Sequence, residues 1–348
     1  MDALEQLPLP LLEWFRDNAR PLPWRDDPTP YHVWLSEIML QQTRVAAVLD
    51  YYRRFLDEAP DIAALAALPE DRLMKLWQGL GYYNRARNLQ RAAQVIVDGY
   101  GGVFPSDYAA VRSLPGVGDY TAGAICSIAF GQAVPAVDGN VLRVYARICG
   151  DGGDISSPRM KKRVAQALER VIPVDAAGAF NQALMELGAT VCLPNGAPLC
   201  ERCPARDFCS ALAQGRVGEL PNRPPKKPRR VEERTVWLIF WGNQVALRRR
   251  LPRGLLAGLW EFPQELGGGP LPPAWNIQAA HMEYAGQAKH VFTHVEWHMT
   301  LWAAQAQADC LPSGWVWAQR GELAHQYAVP SAFEGALGVV DKRLNGGM

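Results

Sequence analysis

Hydrophobic positions in the first half of the chain recur at helical spacing. Leu35, Ile38 and Met39 make one such stripe, with Gln42 continuing its face. Leu73, Leu76, Trp77 and Leu80 make a second, and Leu89, Ala92, Ala93 and Ile96 a third. Gly and Pro interrupt these stripes at Gly79 to Gly81, Gly99 to Gly102, Pro105, and Pro115 to Gly118. Strand-like alternation is absent up to about residue 190, so the pattern predicts an all-helical first half.

The character of the chain then changes twice. Arg216 to Arg234 reads RVGELPNRPPKKPRRVEER, rich in Pro and cations and poor in large apolar residues. Such a segment buries no core and predicts an extended, solvated linker. Beyond it, Thr235 to Trp241 is a dense β-forming run, Phe292 to Trp302 alternates, and Ser331 to Val340 suits a helix. The expected organisation is a helical domain over 1–215, a linker over 216–234, and a mixed α/β domain over 235–345, with no internal repeat.

A chain of 348 residues, 49% hydrophobic and 20% charged, suffices for two domains with their own cores. It holds no apolar run long enough to span a bilayer, which excludes a helical membrane protein. The opening Met1-Asp2-Ala3-Leu4-Glu5 lacks the features of a signal peptide, and a cytoplasmic location is expected. The net charge of +1 and pI near 7.6 are not the bulk signature of a nucleic-acid binder. On charge alone a small-molecule enzyme is favoured; a DNA-binding chain of this composition must focus its cations on one face.

Four of the seven cysteines (Cys192, Cys200, Cys203 and Cys209) fall in one short stretch. Without an export signal they are poor candidates for disulfides. Four thiolates in one loop can wrap a single tetrahedral metal or a cubane cluster. With one CxxC and otherwise asymmetric gaps, the set leans towards [4Fe–4S] over a zinc ribbon. Cys126, Cys149 and Cys310 lie apart and read as ordinary buried thiols.

Leu114-Pro115-Gly116-Val117-Gly118 is a tight turn ahead of a helical stretch from Tyr120. Its glycines allow close backbone approach, and the free amides of the next helix suit a phosphate. Alone, a plain helix–helix turn is the commoner explanation. Asp138, within Val137-Asp138-Gly139-Asn140-Val141, reads first as a helix N-cap. The hairpin, this Asp and the four-cysteine loop, in that order, form a more specific constellation.

That constellation resembles the helix–hairpin–helix DNA glycosylases of the endonuclease III superfamily, and within it the adenine DNA glycosylase (MutY) family. The blocks Pro23-Trp24-Arg25, Ser36 to Thr43, Gly79 to Tyr83, Phe180-Asn181-Gln182 and Ala257 to Pro263 resemble family blocks, so the likeness covers nearly the whole chain. It implies an all-α glycosylase domain with an iron–sulfur loop over 192–209, followed by a Nudix-like α/β domain that recognises 8-oxoguanine. The active site would lie between a six-helix module and a cluster-bearing module. Cys192, Cys200, Cys203 and Cys209 match the [4Fe–4S] ligands, with a first gap of seven residues where the family pattern has six.

The resemblance implies excision of adenine from double-stranded DNA where it lies opposite 8-oxoguanine or guanine, by a monomer associated with the nucleoid. Cleaving the base from its sugar needs protonation of the leaving purine and an anion beside the cationic sugar, the division of labour of two carboxylates. Glu37, on an otherwise apolar helix, would have its pKa raised by burial and serve as the acid. Read without the family, a solvated Glu is the commoner choice. Asp138 takes the anionic role, and Tyr120 and Asn140 complete the implied catalytic set. In bifunctional members a lysine stands where this chain has Tyr120, so a monofunctional enzyme with little lyase activity is expected.

Gln42, Leu80 and Tyr82 resemble residues that wedge the duplex open, Gln41 and Thr43 stand beside them in the implied DNA-binding set, and Gly116 and Gly118 resemble those that grip the strand. Leu80 and Tyr82 also suit an ordinary core. Gln182 and Glu186, four apart on a helix, share a face. By resemblance they read adenine's edge with Trp24 and Arg25 nearby; a surface polar pair is the plainer alternative. Phe292-Thr293-His294 resembles the 8-oxoguanine-sensing Phe-Ser-His loop, with Thr for Ser. His290, His294 and His298 are excluded as a metal trio on the assumption of one extended strand, where residues four apart lie roughly 13 Å from each other. The Nudix-like domain lacks a glutamate-rich box, so pyrophosphatase activity is not expected. The rival within the superfamily is a thymine or uracil mismatch glycosylase; the rival from another class is a non-catalytic DNA-binding or iron–sulfur scaffold.

Overall fold

The computed structural model describes residues 2–225 and 228–345; Lys226 and Lys227 of the expected linker, with Met1 and 346–348, lie outside the described residues. The helical half comprises α1 (Pro8–Asn18), α2 (Pro23–Asp26), α3 (Pro30–Leu40), α4 (Val45–Glu58), α5 (Ile62–Ala67), α6 (Glu70–Leu76), α7 (Asn84–Tyr100), α8 (Tyr108–Ser113), α9 (Asp119–Phe130), α10 (Gly139–Ile148), α11 (Pro158–Glu169), α12 (Ala177–Thr190) and α13 (Ser210–Ala213). Each sequence stripe forms a helix, but two helices stop short of their stripes. Beyond α3, Gln42 adopts a left-handed backbone with φ 60°, and beyond α6 the chain turns through Gly79 and Gly81. Gln42 and Leu80 therefore sit in turns rather than on helices.

The chain divides into two compact units: Met1–Ala67 with Asn88–Pro225, and Leu68–Arg87 with Lys226–Met348. In the first, α3 is buried along nearly its whole length, from Tyr31 to Met39, as expected of a helix apolar on most of its faces. It packs on α9, which packs on α12, and α12 packs in turn on α10 and α1. A core of Leu7, Leu11, Val141, Leu142, Val164, Phe180, Leu184 and Leu187 fills the space among α1, α10, α11 and α12.

The second unit is built on β1 (Arg230–Trp241), β2 (Gln244–Arg249), β3 (Trp260–Glu261), β4 (Gln264–Leu266), β5 (Ala279–Val291), β6 (Val295–Ala306) and β7 (Trp315–Gln319), with α14 (Arg320–His325) and α15 (Glu334–Asn345). The sheet order is β3-β2-β1-β6-β5, with β4 against β1 and β7 against β2. The dense run in β1 is explained by burial on both faces. Val236, Leu238 and Phe240 enter one core, while Trp237 and Ile239 enter another.

Two sequence expectations are corrected here. β1 begins at Arg230, inside the stretch read as linker, because Arg230 onwards pairs in parallel with β6 from Val295. Its charges are also accommodated: Arg234 pairs with Glu232 at 2.6 Å, and Trp297 Nε1 donates to Glu232 at 3.0 Å. Phe292 to Trp302 is not one strand either. The chain turns at Phe292–His294 between β5 and β6, and His290 pairs with Trp297 while Lys289 pairs with His298. His290 and His298 consequently face opposite sides of the hairpin, which replaces the 13 Å argument against a shared ion.

Candidate active site

The helix stack of the first unit brings Glu37, Tyr120, Asp138 and Asn140 together, though they are scattered over a hundred residues of sequence. Glu37, near the end of α3, is only 7% exposed. Burial pushes its carboxyl up to about 7; the charge of Asp138 adds to that rise, while a hydrogen bond from Tyr120 and the charge of Arg25 oppose it. The Tyr120 hydroxyl, from the first turn of α9, donates to Glu37 Oε2 and lies 3.6 Å from Met185 Sδ. Burial, with the charges of Glu37 and Asp138, holds that phenol well above its ordinary pKa.

Asp138 is the N-cap of α10, as its sequence setting indicated: Oδ1 accepts from Val141 N at 2.8 Å. Oδ2 accepts from Asn140 Nδ2 at 2.8 Å. Burial raises the Asp138 pKa, against the pull of those hydrogen bonds and of Arg143. Asn140 is itself fixed from behind, because Arg143 Nη2 donates to its Oδ1 at 2.9 Å and to Gly188 O at 2.8 Å. Gly188 on α12 has no room for a side chain: a Cβ would stand 2.5 Å from Asn140 Cβ. α10 and α12 meet closely at that point, and the meeting sets where Asn140 holds Asp138.

A second cluster lies on α2 and α12. Gln182 and Glu186 do share a face, but Glu186 is 1% exposed and is no surface group. Arg25 donates to Gln182 Oε1 at 3.1 Å and to Glu186 Oε2 at 2.8 Å, and Arg20 makes a forked pair with the same carboxylate. Burial opposes the Glu186 charge, yet these hydrogen bonds hold its pKa below the ordinary value. Arg20 was missed from sequence. It sits in the loop between α1 and α2, where no periodicity or motif marks it. Trp24 is buried and stacks edge-on against Tyr52, with ring centroids 5.2 Å apart. The structure thus places it in the core rather than on an accessible reading edge.

In the Leu114–Gly118 turn, Gly116 has φ 78°, and a Cβ there would stand 2.6 Å from Asn88 Cβ. Gly118 is different. It caps α9 with extended backbone, and a Cβ on it would meet nothing within 4 Å. The close approach expected at both glycines is made within the chain at Gly116 alone. Gln41 follows α3 and donates towards Thr121 Oγ1 at 3.5 Å, and Thr43 Oγ1 donates to Gln41 O at 3.4 Å.

Cys192, Cys200, Cys203 and Cys209 line one pocket, walled by Val144, Ile148, Leu187, Val191, Pro198 and Val217. Arg147 enters it as well, with Nη1 3.3 Å from Cys192 Sγ. No group of three or more His, Cys, Asp or Glu side chains among the described residues is arranged to hold a single metal ion. Arg143 Nε donates to Cys192 O at 2.8 Å, so one guanidinium touches both the cysteine loop and Asn140. Of the three thiols expected to be buried, Cys126 is, whereas Cys149 is only half-buried. Cys310 is exposed, because it follows β6 in a surface loop.

In the second unit, Leu80 is buried, in keeping with the core reading, whereas Tyr82 is 48% exposed with φ 46°. Its hydroxyl lies 2.6 Å from Thr293 Oγ1. Thr293 and His294 are exposed at the β5–β6 turn, and Phe292 is half-buried with its ring 4.8 Å from that of Trp297.

Comparison with known proteins gives two family matches. Residues 35–173 match the HhH-GPD superfamily of base excision DNA repair proteins, and residues 235–338 match a NUDIX domain. An adenine DNA glycosylase of Mus musculus is 36% identical over 380 residues, covering 88% of this chain and 72% of that relative. Among solved structures, a thermostable thymine-DNA glycosylase superposes with a TM-score of 0.56 at 29% identity, covering 61% of this chain and 97% of that one. An endonuclease III bound non-covalently to DNA gives 0.52 at 25% identity, covering 62% and 99%. No helix among the described residues is long and apolar enough to cross a membrane.

Proposed function

This chain belongs to the adenine DNA glycosylase family, and on that premise we propose that it removes adenine lying opposite 8-oxoguanine or guanine in duplex DNA. Family membership overrides the near-neutral net charge, which by itself favoured a small-molecule enzyme. The observation that carries the mechanism is the junction of Glu37, Tyr120 and Asp138: one carboxyl held near neutrality, bonded to a phenol, and within reach of a second carboxyl's charge.

Adenine enters the site out of the stack, at an unstacking cost of a few kcal/mol. Protonated Glu37 gives its proton to a purine ring nitrogen as the glycosidic bond breaks, and the bonding pair leaves with the base. Tyr120 orients Glu37 Oε2 and supplies no amine, in keeping with hydrolysis and little lyase activity. Asp138, fixed by Val141 N and Asn140, presents an anion to the oxocarbenium sugar until water adds, its proton passing to the Glu37 carboxylate left by the first step. The Gln182–Arg25–Glu186–Arg20 cluster supports a reading of adenine's edge in which Gln182 and Arg25 face the base. Glu186, saturated by two arginines, holds them in place.

The four cysteines fit a [4Fe–4S] cluster: four soft thiol donors converge on one largely apolar pocket. When bound, the cluster would tie the two ends of the 192–209 loop together through thiolate bonds. Gly118, open at the α9 N-terminus, supports phosphate binding by backbone amides. Thr293, Tyr82, Phe292 and His294 support an opposite-base sensor on the second unit. Single-turnover excision tests the whole reading. Adenine opposite 8-oxoguanine is cleaved fastest, adenine opposite guanine next, and thymine opposite guanine not at all. Cleavage of the thymine duplex in preference would establish a thymine glycosylase instead.

A further inference from the structure

The segment Leu68–Arg87 lies in the middle of the helical half by sequence but folds with the C-terminal unit. The reason is a set of bonds from α6 and the start of α7. Lys75 Nζ donates to Leu323 O at 2.8 Å, Tyr327 O at 3.1 Å and Gln78 Oε1 at 2.6 Å, which uses all three ammonium hydrogens. Leu323 belongs to the last turn of α14, where backbone carbonyls lack helical partners and welcome a cation. Gln78 Nε2 donates to Val329 O at 2.7 Å. Arg87 Nη2 donates to Ala257 O at 2.7 Å, and Asp71 pairs with Arg249 at 2.7 Å.

We infer that Lys75 and Gln78 are positioning residues for opposite-base discrimination: they clamp α6 to the chain around α14 and so hold Tyr82 against Thr293. Tyr82 stands only four residues beyond Gln78, on the turn that leaves α6, and its exposed side chain meets Thr293 Oγ1 at 2.6 Å. With the clamp closed, the Tyr82 turn and the β5–β6 turn behave as one body, and a purine opposite the extruded adenine meets both hydroxyls at once. The inference builds on the reading of Tyr82 and Thr293 as the opposite-base sensor. Burial and the charge of Arg72 bring the Lys75 pKa down to about 8, in line with a lysine drawn out of water by this role.

The test compares full-length Lys75→Met, Lys75→Arg, Gln78→Glu, Tyr82→Phe and the Lys75→Met/Tyr82→Phe double variant. The readout is apparent kcat/KM on adenine opposite 8-oxoguanine, guanine, or an abasic analogue. Lys75→Met and Gln78→Glu lower the 8-oxoguanine-to-guanine preference about fivefold, as loss of a hydrogen bond of ordinary strength allows. Excision opposite the abasic analogue stays within about twofold of wild type, Lys75→Arg regains the preference, and the double variant falls no further than Tyr82→Phe. Equal losses on all three duplexes, or additive losses in the double variant, overturn the inference. If Tyr82→Phe lowers the preference and Lys75→Met does not, the clamp alone is wrong. If Tyr82→Phe leaves it unchanged, the sensor reading fails and the clamp with it.

Discussion

The Tyr120 hydroxyl donates its hydrogen to Glu37 Oε2, although the two residues stand 83 positions apart in the chain. That bond favours the ionised form of Glu37 and partly offsets the effect of burial. Tyr120→Phe therefore moves the alkaline limb of the single-turnover pH–rate profile upward. The same variant slows excision by roughly 10- to 100-fold, the range for losing a hydrogen bond to a charged group. An unmoved limb would show that Tyr120 does not tune the acid.

Glu37 also makes stability depend on pH. Its folded pKa, about 7, lies above its ordinary value of 4.5. The folded state thus binds more protons between those values, and the stability contributed by Glu37, full below 4.5, is lost as pH rises through 7. Glu37→Gln removes the titration. At pH 8 the variant is expected to be more stable than wild type by up to about 3 kcal/mol, with the gap closing towards pH 4. Denaturant unfolding at the two pH values, read beside a loss of excision of at least about 100-fold, checks both halves.

Glu186 is a buried carboxylate between two guanidinium groups. Glu186→Ala leaves Arg20 and Arg25 facing an empty site, and such losses cost about 3–5 kcal/mol. Thermal unfolding should show a clear drop in Tm. Arg20→Ala, on the more exposed side of the cluster, should cost distinctly less.

Arg143 spans from Cys192 O to Asn140 Oδ1. Arg143→Leu is expected to lower excision about tenfold or more by loosening Asn140 and Asp138, and to lower the iron retained after purification. Iron analysis and single-turnover rates on the same preparation check the pair. On the proposed [4Fe–4S] assignment, stripping iron with a chelator should depress Tm, because the cluster would tie the 192–209 loop together.

These residues also show why some of the site could be read from sequence and some could not. Glu37 was legible only through the family blocks, because a carboxyl among Leu35, Ile38, Met39 and Leu40 reads by pattern alone as a solvated group. Asp138 was legible as a cap, and capping is part of how it is held. Arg20 was not, since its meaning comes from Glu186, 166 positions away, and a loop carries no periodicity. Strand β5 escaped notice because Ala279–Val291 presents no continuous apolar face; every one of its positions is half-buried or exposed. Leu68–Arg87 was assigned to the helical half because sequence proximity says nothing of which carbonyls a lysine will find.

The most direct test of the account is the rate of adenine release from an A·8-oxoguanine duplex across pH 5 to 9, under single-turnover conditions, for wild type and Glu37→Gln. Wild type should slow above about pH 7, approaching tenfold per unit, as the proton on Glu37 is lost. The variant should be slow and lack that limb. A wild-type rate that stays level from pH 6 to 9, or a variant as fast as wild type, would contradict the assignment of Glu37 as the acid.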